Sequence, residues 1–455
     1  MPIESLNPAT GQRIQQYEEM APGEVDRIIG AAHAAFPAWR AKSFEERGVY
    51  LKKTAEILRQ RKEEWGKLMV VEMGKTLAAA VAEVDKCAWV CDFYAEKAKE
   101  FLAPELVETD ASKSFITYQP FGVMLAIMPW NFPFWQVYRF AAPALMAGNC
   151  GLLKHASNVP GCALAIEESF REAGLPDNVF RTLLIGSKQV NAVLEHPHLK
   201  GVSLTGSTPA GQAVAAKAGS LLKKTVLELG GSDPYLILED ADLDEAIKTC
   251  VTSRLICNGQ SCIAAKRFIV VEPVREEFTR RFVESMAKVK MGDPLDPAVG
   301  LGPLAREDLR EDLHAQVVKS IEKGAKLLLG GAIPKQAGAY YPATVLANVT
   351  KGMPAYDEEL FGPVAAIIGA KDEADAIRIA NDTIFGLGAA VFTRDVQRGE
   401  EIAATQIEAG CCFVNAFVKS DPRLPFGGIK ESGYGRELGY HGIHELVNIK
   451  TVYVK

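Results

Sequence analysis

GVMLAIM (122–128), CGLLKH (150–155), VFRTLLIG (179–186), GVSLTG (201–206), TVLELGG (225–231) and PYLILED (234–240) are short β-rich apolar runs spread through the middle of the chain. Patterns with helical spacing separate them, among them ALAIEESFREAG (163–174) and PAGQAVAAKAGSLL (209–222). Parallel strands cannot be joined by a two-residue hairpin and need a crossover, so this alternation predicts a parallel α/β sheet. Upstream, VDRIIGAAHAAF (25–36), ERGVYLKKTAEILRQR (46–61) and AAAVAEVDKCAWVCDFYAEKAKEFL (78–102) carry apolar positions at helical spacing among charged residues. They predict a helical region packed outside the sheet.

After about residue 230 the rhythm restarts. KRFIVVEP (266–273), AKLLLGG (325–331), GPVAAIIGA (362–370), GAAVFT (388–393) and GCCFVN (410–415) read as strands. The stretches 242–256, 274–289, 306–324 and 396–407 read as helices, which implies a second α/β domain. SKSFITYQP (112–120) and NIKTVYVK (448–455) alternate apolar and polar residues and suit strands paired with each other or with another subunit. The expected division is a dinucleotide-binding domain over 1–111 and 120–229, a catalytic domain over 230–424, and bridging segments at 112–119 and 425–455.

At 455 residues the chain exceeds the size at which single cores stop growing. Hydrophobic residues form 48% and charged residues 24%, the profile of a globular enzyme. A net charge of −6 gives no general attraction for nucleic acid or an anionic membrane. The start has no basic or apolar leader and no 18-residue uncharged run occurs, so a cytoplasmic protein is expected. Nine cysteines without a CxxC pair argue against structural zinc, and no metal is expected.

Two Gly-rich settings carry chemistry. Glu228 in VLELGG and Cys262 in NGQSC lie 34 residues apart. They suit a thiol nucleophile with a carboxylate base, or else a turn and a small core residue. In MPWNFPFWQ (128–136) two prolines bracket Trp130 and Asn131, which fixes an amide donor for an oxyanion or a helix cap. At LTGSTPAGQAV (204–214), Gly206 and Ser207 turn the chain into a helix whose free N–H groups suit a phosphate, or simply a capped helix.

NPATG (7–11), MPWNFPFWQ, LTGSTPAG (204–211), LELGGSDP (227–234), NGQSC (258–262), EELFGPV (358–364) and LPFGGIKESGYGRELG (424–439) together resemble the aldehyde dehydrogenase superfamily along nearly the whole chain. With WQVYRFAAPALMAGN (135–149) and the ending KTVYVK, the chain looks most like the short bacterial succinate-semialdehyde dehydrogenases. The resemblance implies two Rossmann-like open parallel α/β domains with a small β oligomerisation arm. It implies that Cys262 attacks an aldehyde, that Asn131 and the Cys262 N–H hold the alkoxide, and that Glu228 activates water. It also implies that Glu359 holds the nicotinamide ribose, that Phe361 packs near the ring, and that Gly206, Ser207, Trp130 and Lys154 meet the nucleotide. Homodimers or homotetramers are expected through the β segments.

Departures from the family pattern sharpen this. Ser157 stands where NAD-using relatives carry a Glu for the ribose 2′-OH, so NADP is expected in preference to NAD, with Lys154 as countercharge. Trp135 and Arg139 are four apart, on one face of a helix, and suit a pocket for a substrate carboxylate unless Arg139 pairs with a local acid. Lys419, Ser420 and Arg423 fit the same mouth or a solvated loop. Phe140 replaces a relay lysine, and Glu437 is a relay residue or an acid paired with Arg436 or a neighbour. Alternatives are a different aldehyde, a CoA-acylating enzyme, or a non-catalytic binding protein.

Overall fold

The computed structural model describes residues 3–455. Helices Pro22–Arg40, Phe44–Met73 and Leu77–Phe101 form the expected N-terminal helical region. A full capping box at Ser43 and Glu46 starts the second, and left-handed Gly74 ends it. These helices pack on a sheet whose five parallel strands run in the order Lys224–Glu228, Leu199–Thr205, Val123–Met128, Cys150–His155, Phe180–Thr182. Chain order reverses between Val123–Met128 and Leu199–Thr205, which opens a crevice at their carboxyl ends. Asn131 and Gly206 follow those two ends.

The second sheet runs Lys326–Leu329, Thr344–Ala347, Val364–Ala370, Arg267–Val271, Pro234–Ile237, Gly388–Phe392, Cys411–Val414. All its pairings are parallel except that of the edge strand Lys326–Leu329. Its central strands are buried on both faces and feed two separate apolar clusters, one per face. The strand Thr344–Ala347 and the helix Glu373–Asn381 went unread in the sequence, being a four-residue run and a nine-residue run.

Lys113–Pro120 and Val447–Val454 pair antiparallel over eight residues, and Glu105–Leu106 adds a third strand. The last 31 residues do not act as one bridging segment. Gly433–Tyr434 joins the edge of the first sheet beside Glu228, and only Val447–Val454 belongs to the arm. A hairpin of Ile3–Leu6 and Arg13–Tyr17, with NPATG at its turn, was also not foreseen. Among the described residues no helix is long and apolar enough to cross a membrane.

Candidate active site

Ahead of Cys262, residues Cys257, Asn258 and Gly259 all take left-handed backbone (φ 53°, 57° and 78°). For the two non-glycines this costs roughly 1 kcal/mol or more each. Side chains hold the loop in place against that cost. Asn258 Nδ2 donates to Gly74 O (2.8 Å) and Pro303 O (2.9 Å), while its Oδ1 accepts from Gly302 N (2.9 Å). Gln260 Oε1 accepts from Ala305 N (2.9 Å), and the Cys257 thiol donates to Asn131 O (2.9 Å). Gly259 is required sterically, since a Cβ there would lie 2.2 Å from Gly362 C.

Lys266 closes the other side of the loop. Its ammonium donates to Ser261 O and Cys262 O, each at 2.8 Å, and lies 3.3 Å from Glu359 Oε1. Cys262 stays partly accessible while the other cysteines near it are more enclosed or engaged with carbonyls. Burial pushes its thiol up to about 12, with the charges of Lys266 and Arg139 pulling the other way.

Asn131 comes from the other domain, 3% exposed. Gln136 Nε2 donates to its Oδ1 (3.0 Å), which orients the amide, and Nδ2 donates one hydrogen to Gln260 O (2.9 Å). An amide nitrogen carries two hydrogens, so one remains for a substrate oxygen. The turn before the helix Trp135–Met146 is capped by Glu83, whose Oε1 accepts from Phe134 N (2.9 Å) and Trp135 N (3.0 Å). Glu83 is itself paired with buried Lys75. Neither residue carried a sequence signal, because the cap lies some fifty positions upstream.

Glu228 ends the strand Lys224–Glu228, is 2% exposed, and neither carboxyl oxygen has a hydrogen-bond partner among the described residues. Burial holds its pKa well above the usual carboxylate range; Glu437 adds to the rise and Arg139 opposes it. Its main-chain oxygen accepts from Gly206 N (3.0 Å), which ties the end of its strand to the turn before the helix Thr208–Ser220. Gly427 leaves room for the side chain, since a Cβ there would lie 2.6 Å from Glu228 Oε1.

Arg139 is used differently from the open carboxylate clamp expected of it. Its guanidinium pairs with Glu437, donates to Thr205 Oγ1 (3.2 Å) and lies over the Phe426 ring (4.9 Å). This is the local-acid alternative, and the acid is Glu437, which faces Arg139 instead of Arg436. Both partners are almost wholly buried, and removing either would strand a charge at about 3–5 kcal/mol. Trp135, one turn earlier, donates its indole N–H to Ser420 Oγ (3.0 Å). Arg423 is held by Asp421, and Phe140 is core.

The residues expected to meet the nucleotide are placed as follows. Trp130 meets Phe361 edge to face at 5.7 Å, although 230 positions separate them. Glu359 Oε1 accepts from Gly231 N (3.1 Å) as well as facing Lys266. Gly206 and Ser207 lie partly open at the N-terminus of the helix Thr208–Ser220, and the Ser207 hydroxyl makes no cap. Lys154, Ser157, Asn158, Gly186 and Lys188 line a cavity of about 1060 Å³, walled opposite by the N-terminal hairpin and Arg306. Within it Asn158 Nδ2 and Oδ1 are buried without partners, and among the described residues neither Lys154 nor Lys188 has a hydrogen bond or ion pair. Cations and an unsatisfied amide around a cavity of this size fit a phosphorylated nucleoside. Lys188 was missed in the sequence because nothing local marks it as lining the same cavity as Lys154. His155 is structural: its ring is bonded to Pro133 O and Ala156 N, and burial lowers its pKa to about 4.

The Aldehyde dehydrogenase family model matches residues 1–452. A probable NADP(+) succinate-semialdehyde dehydrogenase of Synechocystis sp. is 53% identical over 454 residues, covering all of both chains. An NADP(+) succinate-semialdehyde dehydrogenase of Mycobacterium tuberculosis is 48% identical over 457 residues with the same coverage. The crystal structure of succinic semialdehyde dehydrogenase from Streptococcus pyogenes in complex with NADP+ superposes with TM-score 0.97 at 38% identity, covering 99% of each chain.

Proposed function

Since the chain belongs to the aldehyde dehydrogenase family, we propose that it oxidises succinate semialdehyde to succinate, with NADP+ as preferred cofactor and NAD+ still usable. What supports the reading is a buried, unpartnered Glu228 whose charge acts on the Cys262 thiol, with Asn131 bonded to Gln260 O two residues before that cysteine. Cys262 Sγ adds to the aldehyde carbon, and the thiol proton leaves to a base. The free Asn131 Nδ2 hydrogen and the Cys262 N–H receive the developing alkoxide. A bound nicotinamide dinucleotide supplies the hydride acceptor. Glu228 then takes a proton from water as that water attacks the thioester, so succinate leaves and the thiol is regenerated.

Lys154, Ser157 and Lys188 would hold the adenosine end, Gly206 and Ser207 the pyrophosphate, Trp130 and Phe361 the nicotinamide side, and Glu359 its ribose. A serine at 157 accepts a 2′-phosphate that a carboxylate would repel. Arg139, although paired with Glu437, favours the thiolate form of Cys262 through its charge. The arm formed by Lys113–Pro120 and Val447–Val454 would join subunits. Initial rates of NADPH and NADH formation with succinate semialdehyde and with hexanal, without CoA, test the reading. The expected order has succinate semialdehyde with NADP+ fastest; a requirement for CoA, or faster hexanal turnover, would overturn it.

A further inference from the structure

Lys86, on the helix Leu77–Phe101, is a half-buried ammonium with no carboxylate within ion-pair distance among the described residues. It lies 4.0 Å from the centre of the Trp135 ring and donates to Ser420 Oγ (2.9 Å). Ser420 Oγ also accepts from Trp135 Nε1 (3.0 Å). A hydroxyl oxygen has two lone pairs, and both are taken, so the Ser420 O–H must point away as a donor, and no protein acceptor meets it. Lys86 keeps two further N–H donors. Three hydrogens, two on a cation and one on a hydroxyl, are therefore left at one corner without an acceptor among the described residues.

The nearby acids are already engaged. Glu83 Oε1 accepts from Phe134 N and Trp135 N, and its Oε2 faces Lys75. Asp421 binds Arg423 through both oxygens. Arg139, one turn along from Trp135, is held by Glu437 and adds repulsion. Burial, then Arg139, brings the Lys86 pKa down to about 8. A lysine in that setting gains from an arriving anion what no residue of the chain gives it.

We propose that Lys86, with the Ser420 hydroxyl, binds the far-end carboxylate of the aldehyde substrate and is the residue that selects a carboxylated over an uncharged aldehyde. The Trp135 ring, against which Lys86 rests, supplies the apolar wall for the methylenes between the two ends. This rests on the succinate semialdehyde reading and adds to it the group that recognises the anion.

The test measures kcat/KM for succinate semialdehyde and for butanal, an uncharged aldehyde of equal carbon number, in the wild type, Lys86→Met and Lys86→Arg. Removing a charge-assisted contact lowers the ratio of succinate semialdehyde to butanal by about 10- to 100-fold in Lys86→Met, chiefly through KM. Lys86→Arg retains most of the ratio because the cation remains. Butanal turnover also reports that the variants are folded. A wild-type preference for butanal would overturn both this inference and the substrate assignment. A wild-type preference for succinate semialdehyde that survives in Lys86→Met would overturn the Lys86 assignment alone. Succinate titrated against intrinsic tryptophan fluorescence gives a reading without turnover: quenching expected in the wild type should need at least ten-fold more succinate in Lys86→Met.

Discussion

The loop that carries Cys262 and the cavity lined by Ser157 are built on opposite terms. Around the loop most polar side chains have protein partners: Asn258 makes three bonds, Gln260 holds Ala305 N, and Lys266 holds three carbonyls. Around the cavity Asn158, Lys154 and Lys188 have none among the described residues. Where a nucleophile must be aimed, the chain supplies its own restraints against left-handed backbone. Where a ligand is to bind, partners are left for the ligand to complete. Glu228 and Lys86 depart from the first pattern, each an ionisable group without an ion-pair partner among the described residues, and each is proposed to meet the reacting species.

The sharpest break of the comparison is at the nucleophile. Cys262→Ala should lower turnover by at least about 10³-fold while cofactor still binds, as checked by steady-state rates and by NADPH fluorescence titration. Loss of cofactor binding as well would make the thiol part of the loop's support. Next in size, Glu228→Gln should reduce steady-state kcat by about 10²-fold or more and keep the first-turnover burst of NADPH, since hydrolysis is the step proposed for it. The pH dependence follows from its raised pKa. The base form is scarce below that pKa, so wild-type kcat should rise with pH as the proton is lost, and the Gln variant should lack that rise. A variant without a burst would place Glu228 in acylation instead.

Asn258→Ala tests the restraints themselves. It leaves Gly74 O, Pro303 O and Gly302 N without partners and puts alanine at φ 57°. A loss of about 2–4 kcal/mol in urea unfolding, with a parallel fall in activity, is expected. A change under about 0.5 kcal/mol would mean that packing alone holds the loop. At the cavity the effect should be smaller and confined to cofactor choice. Ser157→Glu should lower the NADP+/NAD+ ratio of kcat/KM by about 10-fold, mostly by raising the KM for NADP+. An unchanged ratio would move the 2′-phosphate away from Ser157.

Much of this was legible without coordinates. The strand that ends at Met128, the strand that ends at Thr205 and the motifs after each were read from spacing, because a crossover sheet leaves a strong local rhythm of short apolar runs and amphipathic helices. Asn131, Glu228 and Cys262 were legible as candidates because glycine and proline mark backbone that must be held or approached closely. The hairpin at Ile3–Leu6 was not, since two short runs beside a turn look like any tail. The division of 425–455 was missed for a related reason. A two-residue strand such as Gly433–Tyr434 has no periodicity, and its pairing with Glu228 is decided by the sheet it meets.

Charges followed a different logic. Local sequence placed Trp135 and Arg139 on one helical face, and that placement is the one found. It could not say that Glu437 would take the guanidinium, or that Lys86 would reach Ser420 across 334 positions. Fold class, and the choice of Cys262 as candidate nucleophile, depend on patterns repeated within a few residues, which the sequence alone determines. Which ionised groups find partners and which stay open depends on distances between distant segments, and only the tertiary structure decided those.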